Sequence, residues 1–321
     1  MRKLLLGFVA VLSAALAVPA AAQEKINLSI ATGGTGGVYY PLGGGMANLL
    51  SKYVPGMQAT AEVTGGSVDN LKLIATGKPY IALAMADASQ DALRGAGKFK
   101  GSKVPLRTLT ILYTNIMHVV TVEGTGINTM KDLKGKRLST GSPGSATEVM
   151  AFRVLEAAGI DPLKDITRER LGVTESANAV KDKKIDAFFF VVGLPTSAVT
   201  DLASTPGIKI KFIDHAHLVP AMNKKYDNLY TEDVIPKTTY AGMAADNKAS
   251  AVANILVAHE KMSDQVAYNI VKTIFDKRPE LINVHKTAAD IKLENQKASS
   301  SPVPFHPGAI KYFKEKGIKV N

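Results

Sequence analysis

The chain has 321 residues, 46% of them apolar, and a formal charge of +11, a length that supports a large buried core divided into two lobes. It has no cysteine, which excludes disulfides, thiol nucleophiles and Cys-ligated metals. Its lysines are scattered and it has no Trp, so a basic stripe with stacking aromatics is missing and nucleic acid is not an expected partner, although the positive field favours anions.

The N-terminus reads as a secretory signal peptide. Arg2 and Lys3 precede an apolar run, Leu4–Val18, and Ala20-Ala21-Ala22 offers a cleavage site before Gln23. Residues 1–22 are therefore set apart from the fold, and a periplasmic mature chain of charge +9 is expected to begin near Gln23. The run is short for an anchor helix, and no cysteine follows it for a lipid. No later segment reaches the ~18 to 20 uninterrupted apolar residues of a membrane span.

From there one pattern repeats: an apolar strand, a turn of small residues, a helix start. A strand at Ile26–Ala31 leads into TGGTGGVYYPLGGG, with seven glycines, and a helix that begins near Pro41 and runs through Met46–Val54. The strand Met57–Val63 is followed by TGGS and the helix VDNLKLIATG. Tyr80–Ala86 leads through Asp87 into ASQDALRG. A strand LTILYTN comes next, with His118–Gly124 as a separate connecting strand. KDLKGKRLST supplies a short helix and the strand Arg137–Ser139, before GSPGS and the helix ATEVMAFRVLEAAG. Ile185–Gly193 is a buried strand, with Pro195 placed to start the next helix. SAVANILVAHE reads as a strand and KMSDQVAYNIVKTIFDKRPEL as one helix, with Val266, Ile270, Ile274 and Phe275 on one face. AIKYFKEKG is the last helix.

Alternation of this kind predicts an α/β fold with mostly parallel sheets. The expected division is residues 23–116 for the first segment of lobe I, 117–245 for lobe II, and 246–321 for a return segment and C-terminal helices packing on lobe I and the hinge. The hinge is expected near Asn115–Val119.

Catalytic patterns fail one by one. From Gly34 a dinucleotide fingerprint reaches Tyr39 where its third glycine belongs, and no Gly-Lys-Ser/Thr exists for a P-loop. Ser142 and Ser145 in GSPGS do not form a nucleophile elbow. The six histidines show no H-E-x-x-H spacing; His215-Ala-His217 is the one pair that could hold a metal, and none is expected. No cofactor and no enzymatic activity are expected. What remains is the supply of helix N-termini, whose free N–H groups and positive dipole ends accept anions. Gly36–Val38, Gly66–Val68 and Ser142–Ala146 could converge on one anion. Each turn also has a local reading: Ser67 as a helix cap, and Ser145 with Glu148 as a capping box. Tyr39 and Tyr40, read as extended, should point to opposite sides, one of them to a ligand. Tyr113–Asn115 should line the cleft or pack in the hinge.

TGGTGGVYYPLGG, TGGSVDN, PGSATEVMAFRVLEAAGI, IDAFFFVVGLPTSAV and PFHPGAIKYFKEKG together resemble the TAXI solute receptors of tripartite ATP-independent periplasmic (TRAP) transporters. The resemblance covers nearly the whole mature chain. It implies a two-lobed, type II-like Venus-flytrap periplasmic binding protein, monomeric, with its ligand cleft between the lobes. The ligand would be a small organic anion (a 2-oxoacid, a dicarboxylate, glutamate or glutamine) passed to TRAP membrane permease subunits. The matching ligand positions are Gly36, Gly37, Val38 and Tyr39; Gly66 and Ser67; Ser142, Gly144, Ser145 and Ala146; and Gly193 and Pro195. Asp87, Tyr113 and Asn115 complete the candidate set. Many relatives carry Gln-Ser-Asp where this chain has Met85-Ala86-Asp87, and an acidic residue where it has Thr114-Asn115. These departures weaken recognition of an α-amino group and point to a carboxylate without an ammonium. The competing readings are a secreted α/β enzyme acting on a small carboxylic acid, and a host-interacting surface antigen. The lack of any nucleophile–base or metal pattern favours the receptor over the enzyme.

Overall fold

The computed structural model describes residues 25–320; the signal-peptide residues lie outside them. Three β–α units build the first lobe: β1 (Ile26–Ala31), α1 (Tyr39–Tyr53), β2 (Met57–Glu62), α2 (Ser67–Ala75), β3 (Tyr80–Met85) and α3 (Ala86–Arg94). β1 lies between β2 and β3, parallel to both. A long strand, β4 (Leu106–Val122), then leaves for the second lobe. There the order is β5 (Arg137–Ser139), α4 (Ala146–Ala157), β6 (Thr167–Glu169), α5 (Val173–Lys181), β7 (Ala187–Val192), α6 (Ser197–Ala203), β8 (Ile210–Phe212), α7 (Val219–Tyr226) and β9 (Tyr230–Ile235). A second long strand, β10 (Asn247–His259), returns. It is followed by α8 (Asp264–Asp276), α9 (Arg278–Val284) and α10 (Pro307–Glu315), of which α8 and α9 pack on α1. Among the described residues no helix is long and apolar enough to cross a membrane.

One mixed sheet, ordered β2-β1-β3-β10-β4-β7-β5-β6, runs through both lobes. β4 pairs with β10 over Leu106–Ile116 and with β7 over Ile116–Thr121. β10 pairs with β9 over Asn247–Val252 and with β3 over Asn254–Ala258. Each long strand therefore changes lobes without a break in its backbone. In β10 the handover falls between Val252 and Asn254, inside the strand. LTILYTN and HVVTVEG, read as two strands, are one: Ile116, Met117, Val119 and Val120 are all buried, so the apolar run carries the pleat across. β7 reads AFFFVV because both of its faces are covered, as in parallel sheets under helices.

Two more expectations change. The long C-terminal helix breaks after Asp276, and α9 restarts with Pro279 in its first turn, where a missing N–H costs nothing. Pro195 does not open α6. It follows a cis Leu194–Pro195 bond, and the helix begins at Ser197.

Two histidines lie in the core of the second lobe. His118 has Nδ1 2.9 Å from the Ile116 carbonyl and Nε2 3.0 Å from the Tyr240 hydroxyl. A neutral ring donates through Nδ1 and accepts from Tyr240. His215 places Nδ1 2.8 Å from the Ile213 carbonyl. Burial pushes both down to about 4. Their folded values lie below the unfolded ones, so their contribution is complete above about pH 6.5 and is lost as pH falls toward 4. Each is worth at most about 3 kcal/mol. Urea unfolding should therefore show stability dropping between pH 6.5 and 4.5, with a shallower slope in His118→Gln; equal slopes in variant and parent would remove His118 as a cause.

A closed cleft built from helix starts

Between the lobes lies a cavity of about 290 Å³. Lobe I lines it with the β1–α1 turn (Gly33, Gly34, Gly37, Val38) and Tyr39 at the start of α1, with Thr64–Gly66 ahead of α2 and Ser67 at its first position, and with Met85 at the end of β3. Lobe II adds Gly141, Ser142 and Ser145 ahead of α4 with Ala146 at its first position, Leu171–Val173 at the start of α5, and Phe189–Val192 of β7. Four helices thus begin at one wall. Their first-turn N–H groups have no intrahelical acceptor, and their dipoles present positive ends. No Lys, Arg or His stands among the lining residues, and Glu175 is their one carboxylate. Val38, Met85, Leu171, Val173, Phe189 and Phe190 make much of the remaining wall apolar. The arrangement suits a small molecule with an anionic head and a short apolar body.

Tyr39 and Tyr40 are the first residues of α1 rather than extended. Tyr39 turns inward and Tyr40 is exposed. The Tyr39 hydroxyl donates to Asn254 Oδ1 at 2.9 Å and accepts from Asn115 Nδ2 at 3.4 Å. Burial raises its pKa far above the usual phenol range, so the group remains a neutral donor. Behind it the Tyr113 hydroxyl, Asn115 Oδ1 and Asn254 Nδ2 are buried without a protein partner. Ser67 does not cap α2: it is the first helical residue, and its Oγ accepts from the Met85 N–H at 3.2 Å. Ser145 does cap α4, accepting from Glu148 N at 3.2 Å and donating to the Ser142 carbonyl at 2.7 Å. The box is only half built, because the Glu148 carboxylate turns to Lys98, Arg168 and Arg170.

Of the candidate residues, Gly37, Val38, Tyr39, Gly66, Ser67, Ser142, Ser145 and Ala146 line this cavity, and Asn115 touches Tyr39 from behind. Six stand elsewhere, and the reasons are steric or electrostatic. The Gly36 carbonyl accepts from Thr196 Oγ1 at 2.7 Å, Ser197 Oγ at 3.2 Å and Ala198 N at 3.3 Å, all in lobe II. A Cβ at Gly36 would run into Thr174 Oγ1. Gly144, at φ +78°, leaves room for the Asp69 carboxylate of lobe I, and its carbonyl accepts from Asp69 N at 3.1 Å. Ser142 Oγ adds a bond to the Gly65 carbonyl at 2.9 Å. Gly36 and Gly144 thus let one lobe approach the other, and the structure is in a closed form. A Cβ at Gly193 would meet the Tyr113 ring, and Tyr113 borders a different groove, lined also by Thr114, Leu194 and Thr287. The Pro195 carbonyl lies 3.2 Å from His285 Nε2. Asp87 is buried against Arg153 and the Tyr230 hydroxyl.

The start of α5 escaped the sequence reading, although LGVTES repeats the turn-then-helix pattern found elsewhere. Phe189 and Phe190 were legible as strand but not as cavity wall. Among the described residues no group of three or more His, Cys, Asp or Glu could hold a metal, and His215 of the His215-Ala-His217 pair is buried on a backbone carbonyl.

The Gly36 contact has a direct consequence. Gly36→Val should keep the lobes from meeting while leaving each lobe folded. Small-angle scattering should give a larger radius of gyration than the parent, with a melting temperature within a few degrees. An unchanged radius would place the closing contact elsewhere.

The family profile described as the NMT1-like family matches residues 30–317. Among solved structures, the chain is similar to MatC from Rhodopseudomonas palustris with bound malate, at 11% identity over 92% of this chain and 97% of that one, TM-score 0.57. It is also similar to the periplasmic binding protein BugD, at 15% identity over 92% and 94%, TM-score 0.56. A third is the periplasmic aliphatic sulphonate binding protein SsuA from Escherichia coli, at 12% identity over 91% and 83%, TM-score 0.50. The shared property is the fold, that of two-lobed periplasmic binding proteins, and by its sequence over nearly the whole described length the chain belongs to the NMT1-like family.

Proposed function

We propose that the protein is an exported solute receptor that closes over a small carboxylate and presents it to a membrane permease. The convergence of four helix N-termini on one cavity without a cationic side chain carries this reading. A carboxylate accepts several N–H bonds at once, and backbone donors bring no counter-ion that must be desolvated. Closure removes water and strengthens each of those bonds. The apolar wall from Val38, Met85, Phe189 and Phe190 takes the ligand's hydrocarbon part.

An ammonium is poorly served. Met85 offers no charge, and the Asp87 carboxylate is engaged by Arg153, by Tyr230 and by Ala88 N at 2.8 Å. Glu175 is the one acidic group on the wall, and it is exposed. The ligand is therefore a carboxylate without an α-amino group, such as a 2-oxoacid or a dicarboxylate. The glycine turns that resemble the TAXI receptors support a TRAP permease as the partner. A secreted hydrolase is disfavoured because Ser142 and Ser145 both donate to backbone carbonyls and no histidine reaches the wall.

A thermal-shift screen of carboxylates, sulfonates and amino acids tests the reading. A bound acid at 100 times its dissociation constant adds about 2.7 kcal/mol of stability. The acid should be recovered unchanged after long incubation. If only amino acids stabilise the protein, or if the acid is consumed, the reading is wrong.

Gly37→Val sharpens the test. A Cβ there would lie 3.2 Å from Phe190 Cζ, so the larger side chain fills the cavity. Calorimetry should show affinity reduced at least 100-fold, about 2.7 kcal/mol, with melting little changed. Normal binding by this variant would move the ligand away from the glycine turn.

A further inference from the structure

The first face of α3 and the turn after it carry charge in a row: Asp87, Asp91, Arg94, then Lys98 on a short 3-10 turn. The first three share one helix face by their spacing. Each meets an opposite charge on lobe II. Asp87 lies 3.6 Å from Arg153 Nη1 and Asp91 lies 2.5 Å from Arg153 Nη2. Arg94 lies 2.6 Å from Asp227, which also accepts from Gln90 Nε2 at 2.6 Å. Lys98 lies 3.0 Å from Glu148. The arginine is the centre of the row. It is more than nine-tenths buried, donates to the Tyr230 hydroxyl at 2.8 Å, and lies 4.3 Å from the centre of the Tyr226 ring. Tyr230 in turn donates to Asp87 at 2.8 Å.

The row is continuous with the cavity. Arg153 and Glu148 sit on α4, whose N-terminal residues Ser145 and Ala146 form the wall, and α3 begins directly after the wall residue Met85. No residue of the row lines the cavity itself. We propose that Arg153 is a positioning residue and that the α3–α4 charge row is a latch that populates the closed arrangement even without ligand. With the lobes apart, water solvates both sides. With the lobes closed at any other angle, Arg153 or Asp87 would be buried without its partner, the costly state for a charge. Only one closed geometry pairs every member, so the row selects the geometry that aims the α4 N-terminus into the cavity. The inference rests on the two-lobed closing motion of the reading above, not on the identity of the ligand.

The cysteine-free chain allows a direct test. Cysteines at Val63 of lobe I and Leu163 of lobe II, both exposed, take spin labels, and pulsed electron-spin distances are measured without ligand. The parent should show a short, closed distance as a populated component. Arg153→Met should lower the closed-to-open ratio at least tenfold, and Arg153→Lys should restore part of it. Arg94→Glu, at the exposed end of the row, faces Asp227 with like charge. It should lower the ratio without risk to the core, and more at low than at high salt. A parent with only the long distance overturns the proposal. So does an Arg94→Glu protein whose ratio stays within twofold of the parent, whether or not Arg153→Met folds, because the α3–α4 contact is then a fixed part of the frame. A latch that responds as expected in a protein that no acid stabilises would overturn the carboxylate reading and leave the latch standing.

Discussion

β4 and β10 lie antiparallel to each other across both lobes, and the other elements take their places from that ladder. Two strands that cross together can bend or twist at the crossing, but they hold the lobes in register along the sheet. The β–α units of each lobe then point the carboxyl ends of their parallel strands toward the same gap. Helix starts follow those strand ends directly, so first-turn N–H groups without an intrahelical acceptor surround the gap, two of which, at Asp69 and Glu148, are taken by the Gly144 carbonyl and Ser145 Oγ. The cavity's electrostatic character is thus a consequence of topology more than of any charged side chain.

Glycine serves this geometry in two different ways. Gly37 and Gly66 lie on the cavity wall, where a bare backbone lets a ligand come close. Gly36 and Gly144 lie where the lobes touch, and Gly65 does so while also lining the wall; a Cβ at each would meet the opposite lobe. Closure therefore needs side-chain-free backbone as much as ligand contact does. The two groups alternate along the same turns, so forming the wall and closing the cleft draw on the same short segments.

Apart from Glu175, charged side chains stand off the wall. Arg153, Asp87 and Asp91 are sequestered between α3 and α4, and Glu148 is surrounded by Lys98, Arg168 and Arg170. Asp87, Asp91 and Lys98 of lobe I thus pair with Arg153 and Glu148 of lobe II, while Arg168 and Arg170 pair with Glu148 within lobe II. The proposed anion site is left to dipoles, which need no reorganisation when a charge arrives.

Much of this was legible in the residues. The α/β class follows from strands and helices alternating at short intervals, and the turns at Gly37, Gly66 and Ser145 follow from small residues placed between a strand and a helix. Those are local properties, decided by backbone freedom and apolar periodicity within a dozen residues. Local pattern also misled. HVVTVEG reads as a strand of its own because Asn115 interrupts the apolar run, yet Asn115 is buried within β4 and pairs with Tyr39. Asp87 reads as a ligand residue because it follows a strand end, yet its partner Arg153 lies on another lobe, in a part of the chain that no local window includes. The difference between Gly36 and Gly37 is of the same kind. Nothing in TGGTGGVYY separates two adjacent glycines, because what separates them is Thr174 on one side and the Phe190 ring on the other. The sequence by itself determined which segments could approach something closely; which partner each approaches was decided only when the two lobes came together.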